Sequence, residues 1–117
     1  MKGDTTVAKI LKMEGVESVT GFPSSPLWES AAKEGIRIIK ARTERVGVNM
    51  ADSFSRASYG KRFGVCILQS NQGIENAFAA IAQAHDDSAP ILLLPMGLVR
   101  RRIGTLPSFS AVKTTGE

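Results

Sequence analysis

Ile91-Leu92-Leu93-Leu94 is an apolar run with no polar residue on either side of a strand's pleat. Successive side chains of a strand point to opposite faces, so a run of this kind asks for apolar cover on both sides. That condition is met in a parallel sheet held between two helical layers. The rest of the chain must then supply helices that alternate with short strands.

It does so in order. Asp4 or Thr5 can cap a first helix carrying Val7, Ile10 and Leu11 on one face, which Gly15 stops. Residues 17–22 read as a short strand. Ser25 is a candidate N-cap and Pro26 a candidate first residue of a second helix to about Glu34. Leu27 and Ala31 face inward there, with Trp28 a further candidate, and Gly35 ends the helix. Residues 36–41 form the second strand. Its helix runs from about Glu44 to Tyr59 behind Thr43 as candidate cap, with Val46, Met50, Phe54 and Ala57 at helical spacing. Residues 63–68 are the third strand, Gln69 to Gly73 its exit loop, and Ile74, Ala77, Phe78, Ile81 and Ala84 the inward stripe of a fourth helix. Residues 90–95 close the series. The alternation with short loops predicts an α/β fold: three layers, α/β/α, around a parallel, doubly wound sheet with right-handed crossovers. Periodicity fades beyond Met96, so the chain divides into a domain over 1–97 and a basic, irregular tail, or the start of a continuation, over 98–117.

With 117 residues there is room for one modest core. No apolar run approaches the ~18 residues a membrane helix needs, and no signal peptide opens the chain. A single cysteine, Cys66, cannot form an internal disulfide, which points to the cytoplasm. The net charge of +4 is concentrated in one cluster around Arg100, Arg101 and Arg102. A nucleic-acid surface would spread its charge along an element or interleave it with aromatics, so no nucleic-acid partner is expected.

In a doubly wound sheet, ligands bind where the loops at the carboxyl ends of the strands converge. Those loops are Pro23-Ser24-Ser25, Arg42-Thr43-Glu44, Ser70-Asn71-Gln72-Gly73 and Met96-Gly97. They offer one carboxylate, several hydroxyls and amides, and open backbone at glycine, a set that suits a polar heterocycle. Neither GxGxxG after the first strand nor GxxxxGK[ST] occurs, which disfavours dinucleotides and P-loop phosphates. Cys66 and His85 lack partners at ligand spacing, so no metal site is expected. Cys66 reads as core, His85 as a solvent-facing residue at a helix C-terminus. Ser70 lacks the GxSxG context of a nucleophile. Glu44 stands apart: it falls where a buried strand hands over to a helix, beside that helix's positive end.

Together these loops resemble the N-terminal, pyrimidine-binding domain of thiamine-diphosphate enzymes of the acetolactate synthase type, over about residues 6–97. The family's aromatic-Pro-Gly-Gly turn is similar to Phe22-Pro23-Ser24-Ser25. Its His-Glu and following small-residue helix ending in Ala-Arg are similar to Thr43-Glu44 and the segment 51–57. Its Ser-Gly-Pro-Gly-x-x-Asn is similar to Ser70-Asn71-Gln72-Gly73-Ile74-Glu75-Asn76, and its Asp-Ser-x-Pro to Asp87-Ser88-Ala89-Pro90. The resemblance implies that Glu44 hydrogen-bonds ring nitrogen N1′ of the aminopyrimidine and so activates the cofactor. It further implies that Pro23, Ser24, Ser25, Ser70, Asn71, Gly73 and Asn76 line the same half of the site. The activity implied is that of a 2-keto-acid carboligase or decarboxylase, in which the cofactor is the electron sink.

The departures are specific. Thr43 stands where the family has histidine, Ser24-Ser25 where it has two glycines, and Asn71-Gln72 where it has Gly-Pro. The Gly-Asp-Gly motif that binds diphosphate and Mg²⁺ in the family is absent. The resemblance therefore implies half a site. Mg²⁺ would come through a separate diphosphate-binding domain or subunit, in a homo- or hetero-oligomer, and the isolated chain would be inactive and self-associating. The competing expectation is a non-catalytic dimerisation module derived from this domain.

Overall fold

The computed structural model of the chain describes residues 2–23 and 25–97. Helices and strands alternate through α1 (Gly3–Met13), β1 (Ser18–Phe22), α2 (Pro26–Lys33), β2 (Arg37–Lys40), α3 (Glu44–Ala57), β3 (Gly64–Leu68), α4 (Gln72–Asp86) and β4 (Ile91–Pro95). The strands form one sheet in the order β2-β1-β3-β4, and every pairing is parallel. The expected three-layer, doubly wound architecture is therefore what the chain adopts. From β1 the chain moves outward to β2, then crosses back to β3 and β4. The reversal falls between β1 and β3, the place where ligand crevices form in such sheets.

Two cores follow from the strand alternation. Val65 and Ile67 point to one face, where they meet Val19, Trp28, Ala31, Ala8 and Leu11 from β1, α2 and α1. Cys66 and Leu68 point to the other, against Val48 and Ala51 of α3 and Ala77 and Ala80 of α4. Every residue of β3 is buried. In β4 the apolar run is only half-buried. Full cover was expected there, but among the described residues β4 lies at the sheet's edge and pairs with β3 alone. Among the described residues no helix is long and apolar enough to cross a membrane. The expected tail over 98–117 lies outside the described residues.

The helices correct four expectations. Lys2 rather than Asp4 or Thr5 precedes α1, without a side-chain cap, and Ile10 is exposed while Ala8 and Leu11 carry the buried face. On α3 the expected stripe is the outer face: Val46 is 42% and Phe54 38% exposed. The buried face instead runs Glu44, Gly47, Val48, Ala51, Asp52 and Ser55. The reason is close approach. A Cβ at Gly47 would come within 3.1 Å of Cys66 Sγ and Gly21 Cα, and one at Gly64 would run into the Ala51 carbonyl. Bulky side chains cannot occupy that interface. On α4, likewise, Ala77, Ala80 and Ala84 pack inward and Phe78 is 67% exposed.

Polar bonds fix this tight packing. Thr20 Oγ1 lies 2.8 Å from the Gly47 carbonyl oxygen. Ser55 Oγ donates to Pro90 O at 2.6 Å and accepts from Gly64 N at 2.8 Å. Arg56 ties buried Asp52 to Asp87 beyond the end of α4, at 2.9 and 2.8 Å. Those carboxylates, Asp52 first, raise the guanidinium's pKa and keep it charged.

Cys66 lies in the same interface, fully buried. Burial pushes its thiol up to about 11. The unfolded thiol ionises near its ordinary value of 9.0, so stability unaffected below pH 9 should fall as pH rises from there to about 11. A thiol-specific chromogenic reagent should leave the native chain unlabelled at pH 8 and react with it in urea. Rapid labelling of the native chain would contradict this packing.

Candidate functional site

The carboxyl ends of the strands finish level. Gly21 pairs with Lys40, Phe22 with Leu68, and Leu68 with Pro95. The loops after β1 and β3 therefore leave the sheet side by side at its point of reversal. The Phe22–Pro23 peptide is cis. Gly21 itself has no room for a side chain, since a Cβ there would meet the backbone of Ile67. Its φ of +152° is also one that other residues rarely adopt. This glycine lets the first turn of α3 settle onto β1.

Glu44 is the first residue of α3, one turn ahead of Gly47, and is 6% exposed. Thr43 precedes it as N-cap, its hydroxyl accepting from Val46 N at 3.3 Å. The residue standing at the family's histidine position is thus used to start the helix. Glu44 reaches toward the first turn of α4. Asn76 Nδ2 donates to Glu44 Oε2 at 2.7 Å. Gly73 lies beneath the other oxygen: a Cβ there would be 3.3 Å from both Glu44 Cγ and Oε1, and 2.8 Å from Gln69 Cβ.

Of the residues expected at the site, Glu44, Gly73 and Asn76 are in direct apposition. Ser70 and Asn71 form the turn into α4: Gly73 N donates to Ser70 O at 3.3 Å and Glu75 N to Asn71 O at 3.0 Å. Asn71 takes φ +51° and ψ −99°, outside the left-handed helical region that asparagine tolerates. Pro23 sits at the end of β1, and Ser24 lies outside the described residues. Ser25 turns to the α1/α2 side, in a groove with Pro26, Leu27, Leu94, Pro95 and Met96. It precedes α2 as expected, but its hydroxyl makes no capping bond and is buried without a partner. Thr20 is a residue the sequence reading passed over. Its signal was a β-branched hydroxyl in the middle of β1, and its bond to Gly47 sets the depth of α3 below Glu44. His85 is solvent-facing at the end of α4, as expected. Among the described residues no cluster of three or more His, Cys, Asp or Glu side chains could hold a metal.

Residues 1–111 match the family described as thiamine pyrophosphate enzyme, N-terminal TPP binding domain. The chain is 32% identical over 112 residues to the acetolactate synthase large subunit of Parasynechococcus marenigrum, covering 90% of this chain and 18% of that protein. It is 33% identical over 108 residues to the chloroplastic acetolactate synthase of Arabidopsis thaliana, covering 89% and 16%. Against a Pseudomonas aeruginosa protein named "Probable 2-ketoarginine decarboxylase AruI" it is 35% identical over 91 residues, covering 75% and 16%. The chain thus spans less than a fifth of the length of these relatives.

Proposed function

The chain belongs to the thiamine pyrophosphate enzyme N-terminal domain family, and from that premise we propose that it supplies the aminopyrimidine side of a thiamine diphosphate site in a 2-keto-acid carboligase or decarboxylase. The observation that carries this reading is Glu44: a nearly buried carboxylate at the sheet's point of reversal, accepting a hydrogen bond from Asn76. Such a group suits hydrogen bonding to ring nitrogen N1′ and sharing a proton at that atom. Burial keeps water from competing for the bond. The missing side chain at Gly73 leaves the carboxylate its place, and open backbone beside it suits a flat ring. Pro23, Ser24 and Ser25 after β1, and Ser70 and Asn71 after β3, would border the ring. Bound thiamine diphosphate supplies the electron sink that a 2-keto acid needs on losing carbon dioxide.

The diphosphate and Mg²⁺ fall to another domain or subunit. The relatives' greater length supports that division, as does the sequence's lack of Gly-Asp-Gly. The outer faces of α3 and α4 support a partner too: Val46, Phe54 and Phe78 are large, apolar and exposed. The same surface favours the second reading, a non-catalytic module that associates through it.

Calorimetric titration with thiamine diphosphate and Mg²⁺ separates the readings. The chain alone should show no saturation below about 1 mM. Mixed with the diphosphate-binding portion of a relative, it should bind saturably. Tight binding by the chain alone would overturn the half-site assignment. Association that leaves cofactor affinity unchanged would favour the non-catalytic module.

A further inference from the structure

We propose that Asn76 is the positioning residue for Glu44, holding Oε2 so that the carboxylate has one orientation. This inference rests on the role proposed for Glu44. A glutamate has three rotatable bonds, and one at the first position of a helix can sweep a wide arc. Three features restrict it. The 2.7 Å bond from Asn76 Nδ2 fixes Oε2. Gly73 borders the other side of the carboxylate, close enough that even a methyl group there would crowd Cγ and Oε1. Gly47, pressed onto Gly21 and Cys66, sets how far the start of α3 stands from the sheet.

The chemistry of the pair is directional. Asn76 gives Glu44 a donor, so its amide oxygen faces away from the carboxylate. A neutral donor of this kind restrains an anion without neutralising it, which an arginine or lysine would do. Being on the exposed side of α4, Asn76 contributes little packing. Its removal should therefore act on Glu44 and not on the fold. Asn76→Asp is the informative change: it keeps the shape of the side chain and replaces the donor with an acceptor. A purely steric role would tolerate it, whereas a positioning role would not.

The test uses the full chain in solution, read by ¹H–¹⁵N NMR. The Asn76 side-chain amide should show a strongly downfield proton, and Glu44→Gln should return it to the range of a neutral amide pair. An ordinary Asn76 signal in the native chain would overturn the inference. Thiamine diphosphate and Mg²⁺, added to the chain mixed with the diphosphate-binding portion of a relative, should then shift the backbone amides of Glu44 and Gly73. That response should fall roughly tenfold or more in Asn76→Asp and be partly kept in Asn76→Ala, as loss of a charge-assisted bond predicts. Thermal melting of both variants should stay within a few degrees of the native chain. An undiminished response in Asn76→Asp would overturn the positioning role and leave the function reading intact. No response from the native chain would overturn the function reading, and this inference with it.

Discussion

Gly64→Ala should leave the chain without a stable fold. A Cβ at that position would be driven into the carbonyl of Ala51, with the Ala51 carbonyl carbon 2.5 Å and its Cα 2.6 Å away. These are backbone atoms in the middle of α3, so no rotamer change relieves the clash. The helix would have to lift from β3. Lifting it breaks the bonds that hold it down: Ser55 Oγ to Pro90 O, Gly64 N to Ser55 Oγ, and Thr20 Oγ1 to Gly47 O. It also opens a gap around Val48, Ala51 and Cys66, which are at most 1% exposed. Overpacking and the loss of buried hydrogen bonds each cost about 1–3 kcal/mol. Together they consume much of the ~5–15 kcal/mol by which a domain is stable. Gly3→Ala is the control, because a Cβ there meets nothing within 4 Å and Gly3 is in a helix. It should be neutral or gain up to about 1 kcal/mol. Urea unfolding followed by Trp28 fluorescence reads both. A Gly64→Ala chain that unfolds at the native midpoint would show that α3 does not rest on β3 as described.

The same contact explains what the sequence did and did not disclose. Strands and helices were legible because their boundaries rest on local chemistry: Gly15 and Gly35 end α1 and α2 with φ of +76° and +75°, and Thr43 caps α3. The inner face of α3 was not legible. Hydrophobic periodicity selects the largest apolar residues, Val46, Met50 and Phe54, but this helix packs through small ones. Gly47, Ala51 and Ser55 recur every four residues, and the demand for smallness comes from Gly21 and Gly64 on distant strands. No local pattern records that pairing. Phe78 follows the same rule on α4. The error in the periodicity reading and the exposure of Val46, Phe54 and Phe78 therefore have one cause.

The candidate site divides similarly. Glu44 was legible from its place at a strand-to-helix junction, and Gly73 from the loop after β3. The 2.7 Å bond from Asn76 to Glu44 was not, because it joins residues 32 positions apart and depends on how α3 and α4 lie together. Ser25 shows the converse. Its position before Pro26 fits a cap, yet its hydroxyl makes no capping bond and is buried without a partner among the described residues. The direction of a side chain at a loop's end is set by tertiary packing.

Glu44→Gln, in the chain reconstituted with a relative's diphosphate-binding portion, should lose turnover of a 2-keto acid by roughly 10²–10⁴, the range typical of a removed acid–base group. The substitution isolates the proton. Glutamine has the same length and leaves an oxygen for the Asn76 Nδ2 donor that now meets Glu44 Oε2. It also fits above Gly73 without added volume. The fold should be preserved and cofactor affinity should change far less than turnover. What disappears is a group that can exchange a proton with a ring nitrogen, and none of the described residues nearby replaces it. Thr43 holds the neighbouring position, and its hydroxyl is committed to Val46 N. Cys66, the one thiol, is buried with its pKa raised to about 11 and stays protonated at neutral pH. The rate loss should therefore appear in kcat, with KM for the 2-keto acid little altered, since Glu44 is assigned to the cofactor and not to the substrate. Undiminished turnover in Glu44→Gln would remove the carboxylate from the mechanism. The exposed faces of α3 and α4 would then be the chain's best-supported functional surface.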